Sequence, residues 1–558
     1  MRNSLYSVSF EDAIQTIGGH HRYQKLLVAL VSGIWAIQAF FIISLKFSLI
    51  SPTLECSVNS DDCCKTIYKI AETSPYNAAR EWDLVCDDKY KIDLINVCFY
   101  AGLGIGIFLL SWLANAWGRK PVIFTCLICA AVSLIAACLS VSAEFFMGCC
   151  MAIGFFIGGI YMTCLAYLIE AVSIKFRGLY TGAIFVAWGC GMLLMSLFSL
   201  LVDSWRIQFI VIAFFDISMT PIVFKFHESP RFLAANRGKY SKARYILNNI
   251  AHINSQQPFV EMLEGEKVIG YQEDHSISTS SQPSDSTQSS RKYSFIPISK
   301  GIVSVTEAEL KNVKHYSYID LCRLQSVRAE YAIIFMLFFL LGLSDLTDSQ
   351  LAPSYLENNY INQSIISAIE ILAYAGTVFS LGKMGRQVGL LITFGITGLS
   401  LLIALAFSQN KCSTNAFCAI NTYVSKLLLS ISRLGICGSK LIILIMINEK
   451  FPTSIRSLSL GGLGVAIIAA SLLYPQTIIF FAKSKMSPML GIGILMLFGS
   501  VISCMVTETK DKPMEDYVEE EKEEMKNPVD ISNLEIQPAE NNSLNHQNEN
   551  FQQLNEEQ

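Results

Sequence analysis

"EAVSIKFR" at residues 170–177 and "EKFPTSIR" at 449–456 are the two stretches whose likeness decides the fold. In each, an acidic residue ends a long apolar run, an arginine follows seven positions later, and another apolar run begins. Glu170 and Arg177 form the first set, Glu449 and Arg456 the second. More charges repeat around them. Gly118-Arg119 precedes the first set and Gly385-Arg386 the second; "HESPR" places Glu228 51 positions beyond Arg177, and "TETK" places Glu508 52 beyond Arg456. Each half of the chain therefore reads Gly-Arg, Glu, Arg, Glu in the same order, which is the mark of an internal duplication.

The runs between these charges set the solvent. Only 16% of the 558 residues are charged and 52% are hydrophobic, with a mean hydropathy of +0.42. Soluble domains carry about 25% charged residues, so lipid is the expected surrounding. About 20 apolar residues cross the hydrocarbon core as a helix, and twelve such stretches are read at 24–50, 93–114, 120–141, 144–170, 178–202, 206–226, 331–348, 363–382, 388–408, 420–447, 457–481 and 487–506. A helix satisfies its own backbone in lipid, so the expectation is an all-α membrane protein with twelve spans in two pseudo-symmetric six-helix bundles. Residues 24–226 form the first bundle, with a large outer loop at 51–92, and 331–506 form the second. Residues 1–23, the linker 227–330 and the acidic, Asn/Gln-rich tail 507–558 lie outside the bundles.

Basic loops ("WGRKP", "SIKFRG", "KMGRQ", "NEKFPTSIR") share one side with both termini, and acidic ones ("REWDLVCDD", "SDLTDS") lie opposite; Lys483 and Lys485 break the pattern. The basic side is cytoplasmic by the positive-inside rule. No cleavable leader is read in the polar first 25 residues, so the first span directs insertion. Cys56, Cys63, Cys64 and Cys86 share the large outer loop, where an oxidising exterior permits disulfides of three connectivities, and Cys412 and Cys418 share a shorter one. Asn362-Gln-Ser364 is an outer-side glycosylation sequon close to a helix. The linker stretch "HSISTSSQPSDSTQSSRKYS" and the tail are of disordered composition.

The doubled charges have a physical use. Helix-end charges on one face can form ion pairs that close the inner mouth as the halves rock together, and the energy of breaking them biases two states. The plain alternative is anchoring of helix ends in the headgroups. The gate set comprises Asn115, Arg119, Glu170, Arg177, Glu228, Arg231, Arg386, Glu449, Arg456 and Glu508.

Longer motifs carry a family resemblance. "EWDLVCD" at 81–87, "HESPRFLAANRGKYSKARYILNNIA" at 227–251, "DLCRLQSVR" at 320–328, "NYIN" at 359–362 and "NEKFPTSIR" at 448–456 together resemble the major facilitator superfamily and, within it, the organic ion (cation, anion and zwitterion) transporter family, over residues 17–515. The resemblance implies an alternating-access carrier. It departs at "SWLANAWGRK", where Ser111, Asn115 and Ala116 replace the family's Gly, Asp and Arg, and at Gly382, which holds the matching acidic position in the second half. The gate is expected either to be looser than in relatives or to rest mainly on the remaining Glu–Arg pairs.

Charged groups inside apolar helices cost at least about 2.5 kcal/mol each and mark function by default. Lys46 in helix 1 is read either as a substrate contact or as an anchor that snorkels to the surface. Asp216 in helix 6 is read as a substrate contact or a structural partner, and Asp345 and Asp348 as solvated. Glu370 in helix 8 matches a family position implicated in substrate binding, and Lys440 in helix 10 is expected either to pair with it or to bracket a zwitterion. Trp188 and the Phe338-Phe339 pair offer aromatic faces to a cation, or simple packing. Ile468 stands twelve residues after Arg456, where the resemblance places Asp in cation-handling and Arg in anion-handling relatives; Gly461, Gly462 and Gly464 beside it permit close helix contact.

The main reading is a passive or ion-gradient-driven carrier of small organic ions, cation or zwitterion favoured, in the plasma membrane. Alternatives are a sugar-type facilitator of the same superfamily and a non-transporting sensor or scaffold. No phosphate-cradling loop, cofactor site, metal set, nucleic-acid surface or catalytic constellation is read, so the partners are the substrate and the bilayer.

Overall fold

In a computed structural model of the chain, the residues described are 7–56, 68–70, 75–259, 262–263, 316–351, 355–356, 358–408, 416–484, 486–512 and 515–518. Twelve apolar helices dominate them. In the first half these are α1 (Arg22–Ser48), α2 (Tyr90–Trp117), α3 (Arg119–Cys138), α4 (Ala143–Ala171), α5 (Arg177–Leu201) and α6 (Trp205–Phe224). In the second they are α7 (Gln325–Leu351), α8 (Asn359–Lys383), α9 (Arg386–Ser408), α10 (Ala416–Lys450), α11 (Thr453–Lys483) and α12 (Pro488–Ser503). Eleven are long and apolar enough to cross a membrane, and α12 is a shorter apolar helix of 16 residues. The protein is a multi-pass integral membrane protein.

Several spans extend beyond the apolar runs. Tyr90 begins α2 and Lys450 ends a 35-residue α10, because polar flanks continue the helix once past the hydrocarbon. Starts are capped where the sequence offers oxygen: the Ser142 and Ser487 hydroxyls and the Asn358 amide oxygen accept first-turn N–H groups of α4, α12 and α8.

The duplication is visible in which helices touch. In the first half α1 packs on α5 and α6, α2 on α4, and α3 on α4 and α6. In the second, α7 packs on α11 and α12, α8 on α10, and α9 on α10 and α12. Adding six to each label of the first set reproduces the second. The halves meet through α2 against α11 and α5 against α8, a pair of contacts that the same shift exchanges.

Small residues make the closest of these contacts possible. A side chain on Gly102 or Gly106 of α2 would strike the backbone carbonyl of Met151 or Phe155 in α4, and one on Gly154 or Gly158 of α4 would strike that of Phe99 or Leu103. Between the halves, Gly464 of α11 faces the carbonyl of Gly104 in α2, so the bundles touch backbone to backbone there.

Short elements line the face that carries the basic loops. Ser9 caps a helix at Phe10–Thr16, and helices at Pro230–Ala235, Tyr240–Ile253 and Tyr318–Arg323 belong to the linker. Cys86 is disulfide-bonded. Cys63, Cys64 and Cys412, the side chains of Cys56 and Cys418, the Ser-rich stretch and most of the tail lie outside the described residues.

Replacing Gly106 by Val should abolish the monodisperse peak of detergent-extracted protein in size-exclusion chromatography. Gly148→Val should leave it at wild-type height, since a side chain at Gly148 meets nothing within 4 Å.

Candidate functional site

Two groups of buried and half-buried charges stand out, one at the basic face and one within the second bundle. The first lies on the basic face, at the ends of α2–α5 and α8–α11. Here the repeated Gly-Arg pairs have one structural cause. The Glu228 carboxylate accepts the backbone N–H groups of Arg119 (3.1 Å) and Lys120 (3.2 Å), at the start of α3. The Glu508 carboxylate accepts those of Arg386 (2.9 Å) and Gln387 (3.1 Å), at the start of α9. Each caps a positive helix end with a negative group. Gly118 (φ +120°) and Gly385 precede these starts, and a side chain on either would collide with or crowd the capping carboxylate. Burial pushes the Glu228 carboxyl above its ordinary range. Burial also acts on Glu508, but the N–H groups of Arg386, Lys510, Gln387 and Thr509 outweigh it and bring that carboxyl below.

The arginine side chains continue the symmetry. Arg119 pairs with Glu170 at 2.9 Å, and Arg386 with Glu449 at 3.0 Å. Arg456 of α11 then reaches across to Glu170 at 3.4 Å, so this one carboxylate, fully buried, holds arginines from both halves. Its counterpart Arg177 does something the repeat did not suggest: it pairs with Glu11 in the N-terminal helix. Glu11 also takes Arg231 (2.6 Å), and Arg231 takes Asp516 (3.3 Å). Burial alone would raise the Glu11 carboxyl, yet the charges of Arg231 and Arg177 hold it below the usual carboxylate range. Asp516 in turn accepts the Thr453 hydroxyl at 2.7 Å, tying the C-terminal segment to α11. Asn115, standing where the resemblance implies Asp, donates to the Ser454 carbonyl (3.2 Å) and accepts from Asn236 (2.8 Å). It bridges α2 to the start of α11 without a charge.

The second group lies within the second bundle, on α7, α8 and α10. Arg433 of α10 is its centre. Its guanidinium meets Glu370 through Nε (2.9 Å) and Nη2 (2.7 Å), and Asp345 (2.8 Å) and Asp348 (3.4 Å) through Nη1. Lys440, seven residues and so two turns along the same face of α10, pairs with Asp345 at 2.9 Å.

This overturns two expectations. Glu370 is joined to Arg433 and not to Lys440, because Arg433 is the α10 residue level with it. Asp345 and Asp348 are not solvated: both are in ion pairs, with Asp348 buried, since α7 turns that face toward α10. Lys46 of α1 does not snorkel outward. Its ammonium donates across the halves to the Gln363 side-chain oxygen of α8 at 2.7 Å, and next to it Phe47 stacks edge-on with Tyr360 at 4.6 Å.

Asp216 is fully buried and accepts from Gln38 of α1 at 2.7 Å. Trp188 belongs to a ring cluster with Trp35 and Tyr161 that continues through Phe185 to Tyr374 of α8. Phe338 is buried in α7. Ile468 is half-buried, and its side chain lies against Gly104 at the α2–α11 contact. Asn362 sits in the first turns of α8, where its side-chain oxygen accepts the Tyr355 N–H at 2.8 Å. The residues missed in the sequence were Glu11, Asp516 and above all Arg433. The signal for Arg433 was present, an arginine inside a long apolar helix.

Comparison with known proteins agrees with this arrangement. Residues 26–296 match the family described as sugar (and other) transporter. The chain is 22% identical over 444 residues to the β-alanine transporter of Drosophila melanogaster, covering 79% of this chain and 66%, just under two thirds, of that protein. It is 25% identical over 457 residues to organic anion transporter 3 of Oryctolagus cuniculus (80% and 75% covered). With organic cation/carnitine transporter 4 of Arabidopsis thaliana it shares 24% over 512 residues (89% and 88%). Among solved structures, the major facilitator superfamily proton:xylose symporter XylE bound to 6-bromo-6-deoxy-D-glucose superposes with a TM-score of 0.61 at 14% identity, over 88% of this chain and 98% of that one. This chain has the major facilitator fold. The paired helix contacts and doubled basic-face charges are then the two six-helix halves of a major facilitator fold.

The Gln38–Asp216 bond joins α1 to α6 and separates a polar pair from its parts. Gln38→Leu alone leaves a buried carboxyl without its donor, and Asp216→Leu alone leaves the amide unpaired. Each should lower the melting temperature in detergent by more than the double replacement does, because removing both partners avoids the unsatisfied group.

Proposed function

We propose that this protein is an alternating-access carrier of small organic ions, passive or driven by an ion gradient. The observation that carries the reading is the placement of the two charge groups in a duplicated fold: ion pairs that cross between halves on one face, and a charged cluster around Arg433 inside one bundle. Major facilitator transporters bind substrate between their two repeats near the membrane midplane. A cluster of Glu370, Asp345, Asp348, Arg433 and Lys440 in the bundle whose α8 borders the other half favours an ionic substrate over a neutral sugar, although the superfamily also includes the xylose symporter.

In this reading the basic face is cytoplasmic and the membrane is the plasma membrane, with the linker 227–330 and the tail on the inner side. The pairs Arg119–Glu170, Glu170–Arg456, Arg386–Glu449 and the Glu11–Arg231–Asp516 chain hold the inner side shut. Glu228 and Glu508 fix the helix starts from which Arg119 and Arg386 project. Opening inward breaks the pairs that cross between halves, and substrate contacts must offset that cost. Arg433 holds the three carboxylates together, while Trp188, its ring neighbours and Phe338 give the site apolar surface. Ile468, in contact with Gly104, serves the joint between halves.

The test is uptake into proteoliposomes of a panel containing carnitine, β-alanine, an aromatic carboxylate and a quaternary ammonium. At least one should enter with saturable kinetics. Arg433→Ala and Glu370→Gln should each lower kcat/KM by tenfold or more with protein incorporation unchanged. A full panel without saturable uptake would support a non-transporting scaffold, and unaltered uptake by both variants would remove the cluster from the substrate path.

A further inference from the structure

The charge bookkeeping between the halves singles out Lys46. Within the second bundle every carboxylate of the cluster already has a cationic partner: Glu370 and Asp348 have Arg433, and Asp345 has Arg433 and Lys440. Lys46 differs. It is exposed, and among the described residues its ammonium has a neutral partner, the Gln363 amide oxygen. That contact lies between α1 of one half and α8 of the other, on the α8 face that carries Ser367 and Glu370 further along, all three buried. Gln363 and Glu370 are seven residues apart, about 10 Å along the helix.

A cation arriving here would have to displace a guanidinium or an ammonium from an established pair. An anion meets an ammonium whose partner is a neutral amide oxygen, and it would replace that contact by one in which donor and acceptor are both charged, the stronger kind of hydrogen bond. Two further donors lie deeper between the helices, the Trp35 indole N–H of α1 and the Tyr161 hydroxyl of α4; both residues are more than nine-tenths buried, and neither polar atom has a hydrogen-bond partner. Free donors suit oxygen acceptors of a substrate, whereas a quaternary ammonium offers them nothing.

We propose that Lys46 is a specificity-determining residue that binds the anionic group of the substrate, so that the carried compounds bear a carboxylate, as organic anions or zwitterions. The inference rests on the carrier reading and narrows its substrate class. It places the selecting charge on α1, in place of the α11 position held here by Ile468.

The test measures thermal stabilisation of the purified full-length protein in detergent, titrated with 4-phenylbutyrate and 4-phenylbutylamine, which share an apolar body and differ in charge. Wild type and Lys46→Arg should be stabilised by the carboxylate, Lys46→Gln should need at least tenfold more of it, and the amine should give no shift that depends on Lys46. Stabilisation by the amine alone, or a carboxylate titration that Lys46→Gln shifts by less than twofold, would overturn the proposal. So would a Lys46-dependent shift obtained only with phosphatidylserine vesicles, which would assign the ammonium to a lipid headgroup. Lys46-dependent binding of the carboxylate without its uptake into proteoliposomes would leave this site standing and defeat the carrier reading. Uptake that Lys46→Gln does not alter would do the reverse.

Discussion

Glu170 is a carboxylate with no exposure, held by Arg119 from its own half and Arg456 from the other. Isolated in such a place a charge would cost several kcal/mol, and with two arginines the cost is offset only while both halves stay together on that face. The rest of the basic face is built around this dependence. Glu228 and Glu508 cap the helices from which Arg119 and Arg386 project. Glu11 and Asp516 bring the two ends of the described chain onto Arg177, Arg231 and Thr453. The face is therefore held by a network in which most members have two partners, so a loss at one point is felt at several.

The glycines make that network possible. Backbone contact between α2 and α11 at Gly104 and Gly464 brings the halves close enough for Arg456 to reach Glu170. Close packing of α2 on α4 through Gly102, Gly106, Gly154 and Gly158 joins these two helices of the first half tightly. Charge then discriminates between states of a scaffold that packing has defined. On the other side of the joint, Lys46–Gln363 and Phe47–Tyr360 are also contacts between halves. The two sets oppose each other across the α5–α8 and α2–α11 joints, an arrangement suited to a rocking motion.

The fold was legible because its signals are local and repeated: apolar length for each span, and Gly-Arg, Glu, Arg, Glu for the duplication. The pairing of those charges was legible only in part. Arg177 and Arg456 occupy equivalent places in sequence, yet Arg456 crosses to Glu170 while Arg177 turns to Glu11. The difference arises from a residue outside the repeated charges, Glu11 in the short helix that precedes the first span. The Arg433 cluster was half seen. Glu370, Lys440, Asp345 and Asp348 were all noticed, but sequence order gives no register between α7, α8 and α10, and a two-turn offset along α10 exchanges Lys440 for Arg433. Ile468 illustrates the opposite case, where family spacing marked a place that in this chain serves packing against Gly104.

The central claim is that charge pairs shared between halves set which face is closed. Hydrogen–deuterium exchange of Glu170→Gln beside wild type tests it most directly. With the shared carboxylate made neutral, the amides at Ser173–Arg177 and Phe451–Arg456 should exchange faster together, with the remainder of α4 and α11 still protected. Unchanged exchange at both segments in a folded variant would contradict the account.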